Sequence, residues 1–349
     1  MNIIIEAKIL RTLSHQIFSS QGVGRIGCER TVDALIEANL RGHDSHGVIR
    51  IPKWVKGLEV KAINPAPKVK IVRQTQATAL LDGDDGLGPV VGIKASDLAI
   101  DKAKKHGIGV ISTRKASHIG MLGYFTEYLA RHNLIGICMT NTESGMAPFG
   151  SVEKVLGTNP LSIAVPSRDL PLILDMSTSV VARGKIVLAL EKREKIPEGW
   201  AVNKIGQPTT DPKAALAGAL LPLGGAKGSG LAIMIDILTG ALAGESVGKN
   251  VRGTYDMQAK GTKGDFFMAI NPSVFTDFEQ FLDSVENLIK QIREAKIAPG
   301  TEQILLPGEL EYLTKKKRLA EGIPIDEKLF NKLTVLAGNA TLSSTIKSS

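Results

Sequence analysis

The stretches GIGVIST at residues 107–113 and LIGICMTN at residues 134–141 decide the fold class of this chain. Each is a short apolar run bounded by turn or polar residues, which is the pattern of a buried β-strand. Similar runs are TALLDG at 78–83, LSIAVP at 161–166, LPLILDMS at 170–177 and DFFMAINP at 265–272. Helical periodicity marks the segments 89–106, 120–133, 179–194 and 229–243. This alternation predicts a mixed α/β domain.

The two ends of the chain have a helical pattern instead. Apolar residues recur at helical spacing in three segments before residue 60 and again at 276–297. Residues 62–70 contain two prolines and are predicted to form a linker. We therefore predict a helical domain of residues 1–75, joined by residues 307–349, beside an α/β domain of residues 76–306.

The composition is that of a globular protein. The 349 residues include 43 Lys and Arg against 35 Asp and Glu, a formal charge of +8, and 43% of them are apolar. The cations are interleaved with acids and aromatic residues make up 4%, which argues against a nucleic-acid-binding surface. The run KKKR at 315–318 is predicted to be a solvated helix face.

Several classes of protein are disfavoured by what the sequence lacks. No apolar run approaches the roughly 18 residues of a membrane span, and the opening MNIIIEAKIL lacks the features of a signal peptide. We therefore expect a cytoplasmic protein with no membrane partner. Two cysteines cannot form a disulfide framework, and there is no H-E-x-x-H or C-x-x-C motif, so no metal site is expected.

One glycine motif imitates a nucleotide-binding fingerprint. Residues 22–27, GVGRIG, match G-x-G-x-x-G. The fingerprint requires a preceding strand in a βαβ unit and an acid about 20 residues later, whereas here a helix precedes it. We predict a turn between two helices at these glycines.

Residues 41–50, RGHDSHGVIR, concentrate polar chemistry in ten positions. Histidine suits proton transfer near neutrality, and arginine offers a planar fork that matches a carboxylate. Helical spacing would put His46 and Arg50 on one face, with Ser45 beside them to orient His46 or the substrate. The alternative is a capping segment with Asp44 or Ser45 at the N-cap and exposed charges. We favour the functional interpretation.

A second histidine motif, RKASHIG at 114–120, follows the predicted strand GIGVIST. Chemistry in α/β folds gathers at the carboxyl ends of strands, which makes His118 a candidate catalytic residue. The alternative is a helix N-cap at Ser117 with a surface histidine next to it.

A long polar loop is predicted at 141–160, NTESGMAPFGSVEKVLGTNP. Structureless loops of this length inside a domain are usually functional. Ribose, carboxamide or phosphate can be hydrogen-bonded by the side chains of Asn141, Thr142, Thr158 and Asn159. Ordinary turn chemistry is the alternative for each of them.

Two strand- or helix-end segments are further candidates for cofactor binding. Asp175 closes an apolar run and can accept from ribose hydroxyls, with Ser177 and Thr178 predicted to open the next helix; an N-cap is the alternative. The segment 224–231, GGAKGSGL, joins free backbone amides, a helix N-terminus and Lys227. We favour phosphate binding there over a glycine-rich turn.

Together these segments resemble the malate/L-lactate dehydrogenase family of 2-hydroxy-acid oxidoreductases. The ordered set is RGHDSHGVIR, GDDGLGP, RKASHIG, NTESGMAPFG, LGTNP, LDMSTS, IPEGWAVNKIGQPTTDP and GGAKGSGL, from about residue 5 to residue 335. NTESGMAPFG and GDDGLGP are most similar to the archaeal malate/L-sulfolactate branch. The resemblance implies a non-Rossmann, mixed-sheet NAD(P)-binding fold and a homodimer with the cofactor near the subunit interface.

The resemblance also implies roles for individual residues. His118 takes the position of the catalytic histidine, and Ser45, His46 and Arg50 lie near the substrate. The implied cofactor contacts are Thr142, Asp175, Met176, Ser177 and Lys227, to which we add Thr158, Asn159 and Gly228 as candidates. Relatives often carry Tyr where this chain has Trp54, so a substrate hydrogen bond from that hydroxyl is lost.

We therefore predict an NAD- or NADP-dependent enzyme that interconverts a small anionic 2-oxo acid and its 2-hydroxy acid. Malate/oxaloacetate and L-sulfolactate/sulfopyruvate are the expected pairs, with ureidoglycolate or another 2-oxo acid as the alternative. In reduction, protonated His118 would donate to the C2 oxygen while Arg50 grips the C1 carboxylate. Ser45 and His46 would hold the hydroxyl or a second anionic group. A phosphate- or nucleic-acid-binding module without turnover is the alternative of another class.

Overall fold

The computed structural model describes residues 2–254 and 259–338. Its strands are β1 (Asn2–Ile5), β2 (Lys70–Gln74), β3 (Thr78–Gly86), β4 (Ile108–Ala116), β5 (Ile135–Thr140), β6 (Leu161–Val165), β7 (Leu172–Met176), β8 (Ala201–Val202), β9 (Ala219–Leu220), β10 (Asp265–Ile270) and β11 (Ile323–Asp326). Its α-helices are α1 (Ala7–Ser20), α2 (Arg25–Leu40), α3 (Ile51–Glu59), α4 (Gly88–His106), α5 (Leu122–Ala130), α6 (Arg183–Lys192), α7 (Pro212–Ala217), α8 (Ala226–Asp236), α9 (Phe278–Arg293), α10 (Glu309–Glu321) and α11 (Glu327–Leu336).

A seven-stranded mixed sheet forms the centre of the molecule, which confirms the predicted mixed α/β class. The strand order is β2-β3-β4-β10-β5-β6-β7. Strands β3 and β4 are parallel and joined by α4, while β10 pairs antiparallel with both β4 and β5. Because β10 runs antiparallel between them, its first residue, Asp265, lies opposite Thr113 and Thr140, near the carboxyl ends of β4 and β5.

Helix α4 shows why the local sequence folds as it does. Pro89 occupies its first turn, where a missing N–H costs no hydrogen bond. Three basic residues in its last turn suit the negative end of the helix dipole. Gly107 then ends the helix with φ +82°, a left-handed conformation that glycine adopts without strain.

Segments from both ends of the chain pack together. Strand β1 pairs antiparallel with β11, and one hydrophobic cluster contains Leu10, Trp54 and Leu333. The predicted turn between helices at 22–27 is present, with Gly22 at φ +78° between α1 and α2. The helical-domain boundaries stay a prediction, and residues 339–349 lie outside the described part of the chain.

Several predicted element boundaries were wrong. Strand β2, which the sequence patterns did not predict, pairs antiparallel with β3 and forms one edge of the sheet. The helix predicted from residue 179 begins at Arg183, because the Thr178 N–H and hydroxyl both donate to the Thr158 carbonyl and hold a loop there. The helix predicted from residue 229 begins earlier, at Ala226.

The run KKKR at 315–318 is only partly a solvated face. Lys316 and Lys317 are exposed, but Lys315 forms an ion pair with Glu37 and Arg318 packs its guanidinium against α2. Within the described residues, no helix is both long and apolar enough to cross a membrane.

Candidate active site

Residues from four of the polar segments singled out above converge on one cavity of about 500 Å³, a volume typical of small-molecule sites. Ser45, His46 and Arg50 line it from the segment after α2, and His118 lines it from the end of β4. Further lining residues are Thr142, Thr158, Asp175, Met176 and Ser177. The structure thus brings together residues that are up to 132 positions apart in the sequence, from Ser45 to Ser177.

Close packing of α4 against the chain after β4 places His118. The Ser117 hydroxyl accepts a hydrogen bond of 2.9 Å from the backbone N–H of Gly88, the first residue of α4. A Cβ on Gly88 would lie 2.3 Å from the His118 carbonyl oxygen, so only glycine permits this contact. Ser117 therefore caps α4 rather than a helix of its own, and His118 is buried, with 7% of its surface exposed.

The His118 ring is held in one neutral form. The Gly120 N–H donates to Nδ1 at 3.1 Å, which leaves Nε2 as the N–H of the neutral imidazole. Burial lowers the pKa of His118 well below its usual range, and the positive charge of Arg50 lowers it further. The imidazolium that we predicted for the reduction direction is therefore not the resting form of the ligand-free site.

His46 is a second neutral ring in the same wall. Its ring centroid lies 5.5 Å from that of His118, and its Nδ1 is hydrogen-bonded to the Ser45 hydroxyl at 2.9 Å. Burial, with Arg50 and His43 nearby, lowers the pKa of His46 to about 3. His46 consequently contributes hydrogen bonding but no positive charge at neutral pH.

Backbone carbonyls position Arg50. Its Nε donates to the Ser45 carbonyl at 2.6 Å and its Nη1 to the Thr254 carbonyl at 3.5 Å. The segment forms two short 3₁₀ turns, Asp44–His46 and Val48–Arg50, rather than the helix that would have put His46 and Arg50 at i and i+4. Asp44 makes no cap to either turn and pairs with Arg318 instead. The capping alternative is therefore not what the structure shows.

Asp175 lies within β7 on the cavity wall. Its Oδ2 accepts the Gly123 N–H at 2.7 Å. Burial raises the pKa of Asp175, while His43 and the Gly123 N–H act in the opposite direction. Among the described residues no donor reaches its Oδ1, which leaves one carboxylate oxygen for a ligand. Asp175 is not an N-cap, because α6 begins eight residues later at Arg183.

Asn159 supports the cavity wall from behind. It is fully buried, its Oδ1 accepts the Thr142 N–H at 3.1 Å, and its Nδ2 donates to the Ala232 carbonyl at 2.9 Å. The Thr142 hydroxyl in turn accepts the Thr158 N–H at 3.0 Å. Asn159 therefore positions Thr142 and Thr158 and does not itself line the cavity, contrary to its predicted role as a cofactor contact.

The glycine-rich segment before α8 also lies outside the cavity wall. Lys227 is exposed in the first turn of α8. A Cβ on Gly228 would lie 2.3 Å from the Leu223 carbonyl oxygen, which makes this glycine a packing requirement. The structure thus gives the segment the features of the glycine-rich turn that was the alternative interpretation.

The sequence analysis missed Lys263 as a site residue. Lys263 lines the cavity, is 1% exposed and is paired with Asp265 at the start of β10. The available signal was a lysine flanked by small residues, GTKGD, immediately before the buried strand DFFMAI. Within residues 2–254 and 259–338, no three His, Cys, Asp or Glu side chains are arranged to hold a metal ion.

The chain is similar to known proteins along most of its length. A family model described as malate/L-lactate dehydrogenase matches residues 5–334. The L-sulfolactate dehydrogenase of Methanocaldococcus jannaschii is 46% identical over 340 residues, which cover 97% of this chain and 98% of that protein. The malate/(S)-sulfolactate dehydrogenase of Methanothermus fervidus is 41% identical over 342 residues, which cover 98% and 99%.

A solved structure extends the likeness to three dimensions. The sulfolactate dehydrogenase from Methanocaldococcus jannaschii superposes with a TM-score of 0.92 at 45% identity, covering 97% of this chain and 98% of that one. The predicted class, a nicotinamide-dependent 2-hydroxy-acid dehydrogenase, is confirmed at the level of the family. The chain belongs to the malate/L-lactate dehydrogenase family.

Proposed function

We propose that this protein transfers a hydride between a nicotinamide cofactor and C2 of a small 2-oxo or 2-hydroxy acid. The substrate pair is malate/oxaloacetate or L-sulfolactate/sulfopyruvate. The observation that carries the proposal is the convergence of Arg50, His46 and His118 on one cavity with Asp175. The names of the relatives, which are sulfolactate and malate dehydrogenases, support the same pairs.

Arg50 is proposed to bind the C1 carboxylate. A guanidinium presents a planar pair of N–H groups that matches a carboxylate. The hydrogen bonds from Arg50 to the Ser45 and Thr254 carbonyls restrict its side chain before substrate arrives. A restricted side chain loses less entropy on binding, so the clamp favours a defined substrate orientation.

His118 is proposed to exchange the proton of the C2 oxygen through Nε2. In the ligand-free site its pKa is lowered partly by the charge of Arg50. A carboxylate bound to Arg50 offsets that charge, so substrate binding raises the pKa of His118 toward the range where it can act as an acid. Oxidation uses the neutral ring, and Ser45 and His46 orient the hydroxyl.

The residues on the other side of the cavity fit an NAD(P) cofactor in a non-Rossmann site. Asp175 has a carboxylate oxygen available for ribose hydroxyls, and Thr142, Thr158 and Ser177 add hydroxyls along the same wall. Gly184, near the start of α6, packs against Ser45, since a Cβ on Gly184 would lie 3.0 Å from the Ser45 Cβ. The start of α6 is therefore close to the segment of Ser45, His46 and Arg50. When bound, the cofactor supplies or accepts the hydride at its nicotinamide ring.

The choice between NAD and NADP is proposed to depend on two opposed features. Asp175 favours a free ribose 2′-hydroxyl, because a carboxylate repels a phosphate. Arg183 and Lys185 of α6 line the same cavity and would attract a 2′-phosphate. The ratio of kcat/KM for NADH to that for NADPH decides between them.

A homodimer in the cytoplasm is the remaining part of the proposal. Helix α8 is apolar on more than one side, and a helix of this kind is normally covered by other protein. Met234 is 56% exposed and Leu242, just beyond the helix, is 57% exposed. A second copy of the chain is the proposed cover, and light scattering after size exclusion would measure the mass.

An assay of the purified protein with both cofactors tests the function. Oxaloacetate, sulfopyruvate and pyruvate are reduced and ureidoglycolate is oxidised while absorbance of the reduced nicotinamide is followed. We expect turnover with oxaloacetate or sulfopyruvate. No absorbance change with any substrate, together with salt-sensitive retention on a polyanion column, would instead support the binding-module alternative.

A further inference from the structure

Lys263 has no role in the proposed function, although it lies in the same cavity wall as Arg50 and His118. Lysine is almost never fully buried unless it is paired, and Lys263 is 1% exposed. Its partner Asp265 is also 1% exposed. A buried charge beside a cavity is a common feature of functional sites, because desolvation there has to be balanced by a ligand or a fixed partner.

The sheet fixes the position of this ion pair. Asp265 is the first residue of β10, where it lies opposite Thr113 of β4 and Thr140 of β5. Its Oδ2 accepts the Thr113 hydroxyl at 2.9 Å, and its Oδ1 accepts the Lys263 ammonium. The carboxylate is therefore held on both oxygens, and Lys263 is held at the carboxyl ends of the central strands.

The ammonium of Lys263 keeps hydrogen-bonding capacity. It has three N–H donors, and among the described residues Asp265 is its only hydrogen-bond partner. Two of its N–H donors therefore have no partner among the described residues. Its charge also reaches the catalytic candidate, since it is one of the groups that lower the pKa of His118.

A second buried lysine shows what a purely structural role looks like. Lys102 of α4 is 8% exposed, and its ammonium donates to the carbonyls of Thr75 and Gln76 at 2.7 and 3.2 Å. It lies outside the cavity wall and ties a loop to a helix. Among the described residues, Lys263 donates to no backbone carbonyl, and it is one of the residues that line the cavity. A buried ion pair is by itself weak evidence for a stabilising role.

The charges needed by a dianionic substrate point to Lys263. Arg50 is assigned to the C1 carboxylate, and the imidazoles of His46 and His118 are neutral in the ligand-free site. Arg183 and Lys185 also line the cavity from α6, next to Ser45, but Arg183 is only half-buried and Lys185 is exposed. Lys53 also lowers the pKa of His118 but is exposed, so among the described residues Lys263 is the fully buried cation in the cavity wall beside His118.

We propose that Lys263, anchored by Asp265, binds the second anionic group of the substrate and so selects dianionic 2-oxo acids over monoanionic ones. The inference rests on the proposed function and deepens it. A carboxylate or a sulfonate two bonds from C2 would accept the two remaining N–H donors. Both malate and sulfolactate have such a group, whereas lactate does not.

Substrate selectivity tests this role. The ratio of kcat/KM for oxaloacetate to that for pyruvate is measured in the parent and in Lys263→Met/Asp265→Asn, a pair that leaves no unpaired buried charge. We expect the ratio to fall by about 10²-fold, as for loss of a buried charged hydrogen bond. Lys263→Arg should keep most of the preference, and the matched control Lys102→Met should leave the ratio unchanged.

A binding measurement provides a readout without turnover. Dissociation constants of succinate, which has the two-carbon spacing of malate, and of propionate are measured by calorimetry with NADH or NADPH present. The parent should prefer succinate, and Lys263→Gln, which retains a donor but no charge, should lose that preference. An unchanged oxaloacetate preference in the double variant, or equal binding of succinate and propionate to the parent, would overturn the inference. Absence of any turnover in the parent would overturn the proposed function alone, because succinate binding is measured independently.

Discussion

Two polar segments of the sequence have similar ingredients for binding an anion, and the structure uses them differently. In RGHDSHGVIR at 41–50, Ser45, His46 and Arg50 line a cavity. In GGAKGSGL at 224–231, Gly224 and Gly225 have φ near +60° and Lys227 is exposed outside that cavity. Flexible backbone and positive charge are thus insufficient evidence for a ligand site. What distinguishes the first segment is that its polar side chains are half-buried around one cavity.

Among the replacements that test this comparison, His118→Ala is expected to change the activity most. His118→Ala removes the group assigned to the C2 oxygen, so kcat should fall by about 10²–10⁴-fold. Cofactor affinity, measured by quenching of protein fluorescence, should stay nearly unchanged because His118 is not among the proposed cofactor contacts. Turnover at the parent rate would remove His118 from the mechanism.

Replacement of Arg50 tests the carboxylate clamp. Arg50→Lys keeps the charge but loses the planar fork, and we expect kcat/KM for the 2-oxo acid to fall by about 10²-fold through KM. Steady-state kinetics at saturating cofactor measure the change. Parent-like KM and kcat would place the clamp elsewhere in the cavity.

The pH dependence tests the lowered pKa of His118. Reduction requires the imidazolium, and above a lowered pKa its fraction falls tenfold for each unit of pH. The kcat/KM for reduction should therefore decline with a slope of −1 from about pH 6 to pH 8, whereas kcat/KM for oxidation should stay flat. An inflection near the ordinary histidine value of about 6.5 in either direction would show that the free-enzyme pKa is not lowered.

Replacement of Lys227 is expected to have the smallest effect. Lys227→Met removes an exposed charge outside the cavity wall, so cofactor dissociation constants should change less than about threefold, within the range of surface charge effects. Gly224 and Gly228 remain in place, so folding should be unaffected. A tenfold or larger loss of cofactor affinity would restore the phosphate-binding interpretation of this segment.

Much of the fold follows from local patterns in the sequence. The apolar runs at 107–113 and 134–141 became β4 and β5 of the central sheet, because short buried runs between turn residues have few other stable arrangements. The position of β10 between β4 and β5 does not follow from such patterns. Strand order depends on long-range packing, and the DFFMAINP run carries no local mark of its neighbours.

Part of the candidate site was also predictable from local patterns in the sequence. His118 was identified because it follows a strand end, and Arg50 because it lies in a dense polar segment. Lys263 was missed because its cavity is formed by elements that are distant in sequence. A lysine two residues from an aspartate gives no local sign that the pair is buried. Asn159 was misassigned because the sequence cannot show that both ends of its amide are bonded inside the protein.

A crystal structure of the protein with NADH or NADPH and oxamate, an unreactive analogue of a 2-oxo acid, tests the central claim most directly. The account predicts that the oxamate carboxylate lies on the Arg50 guanidinium and that its carbonyl oxygen accepts from His118 Nε2. Oxamate bound with either side chain beyond hydrogen-bond reach, about 3.5 Å, would contradict the account.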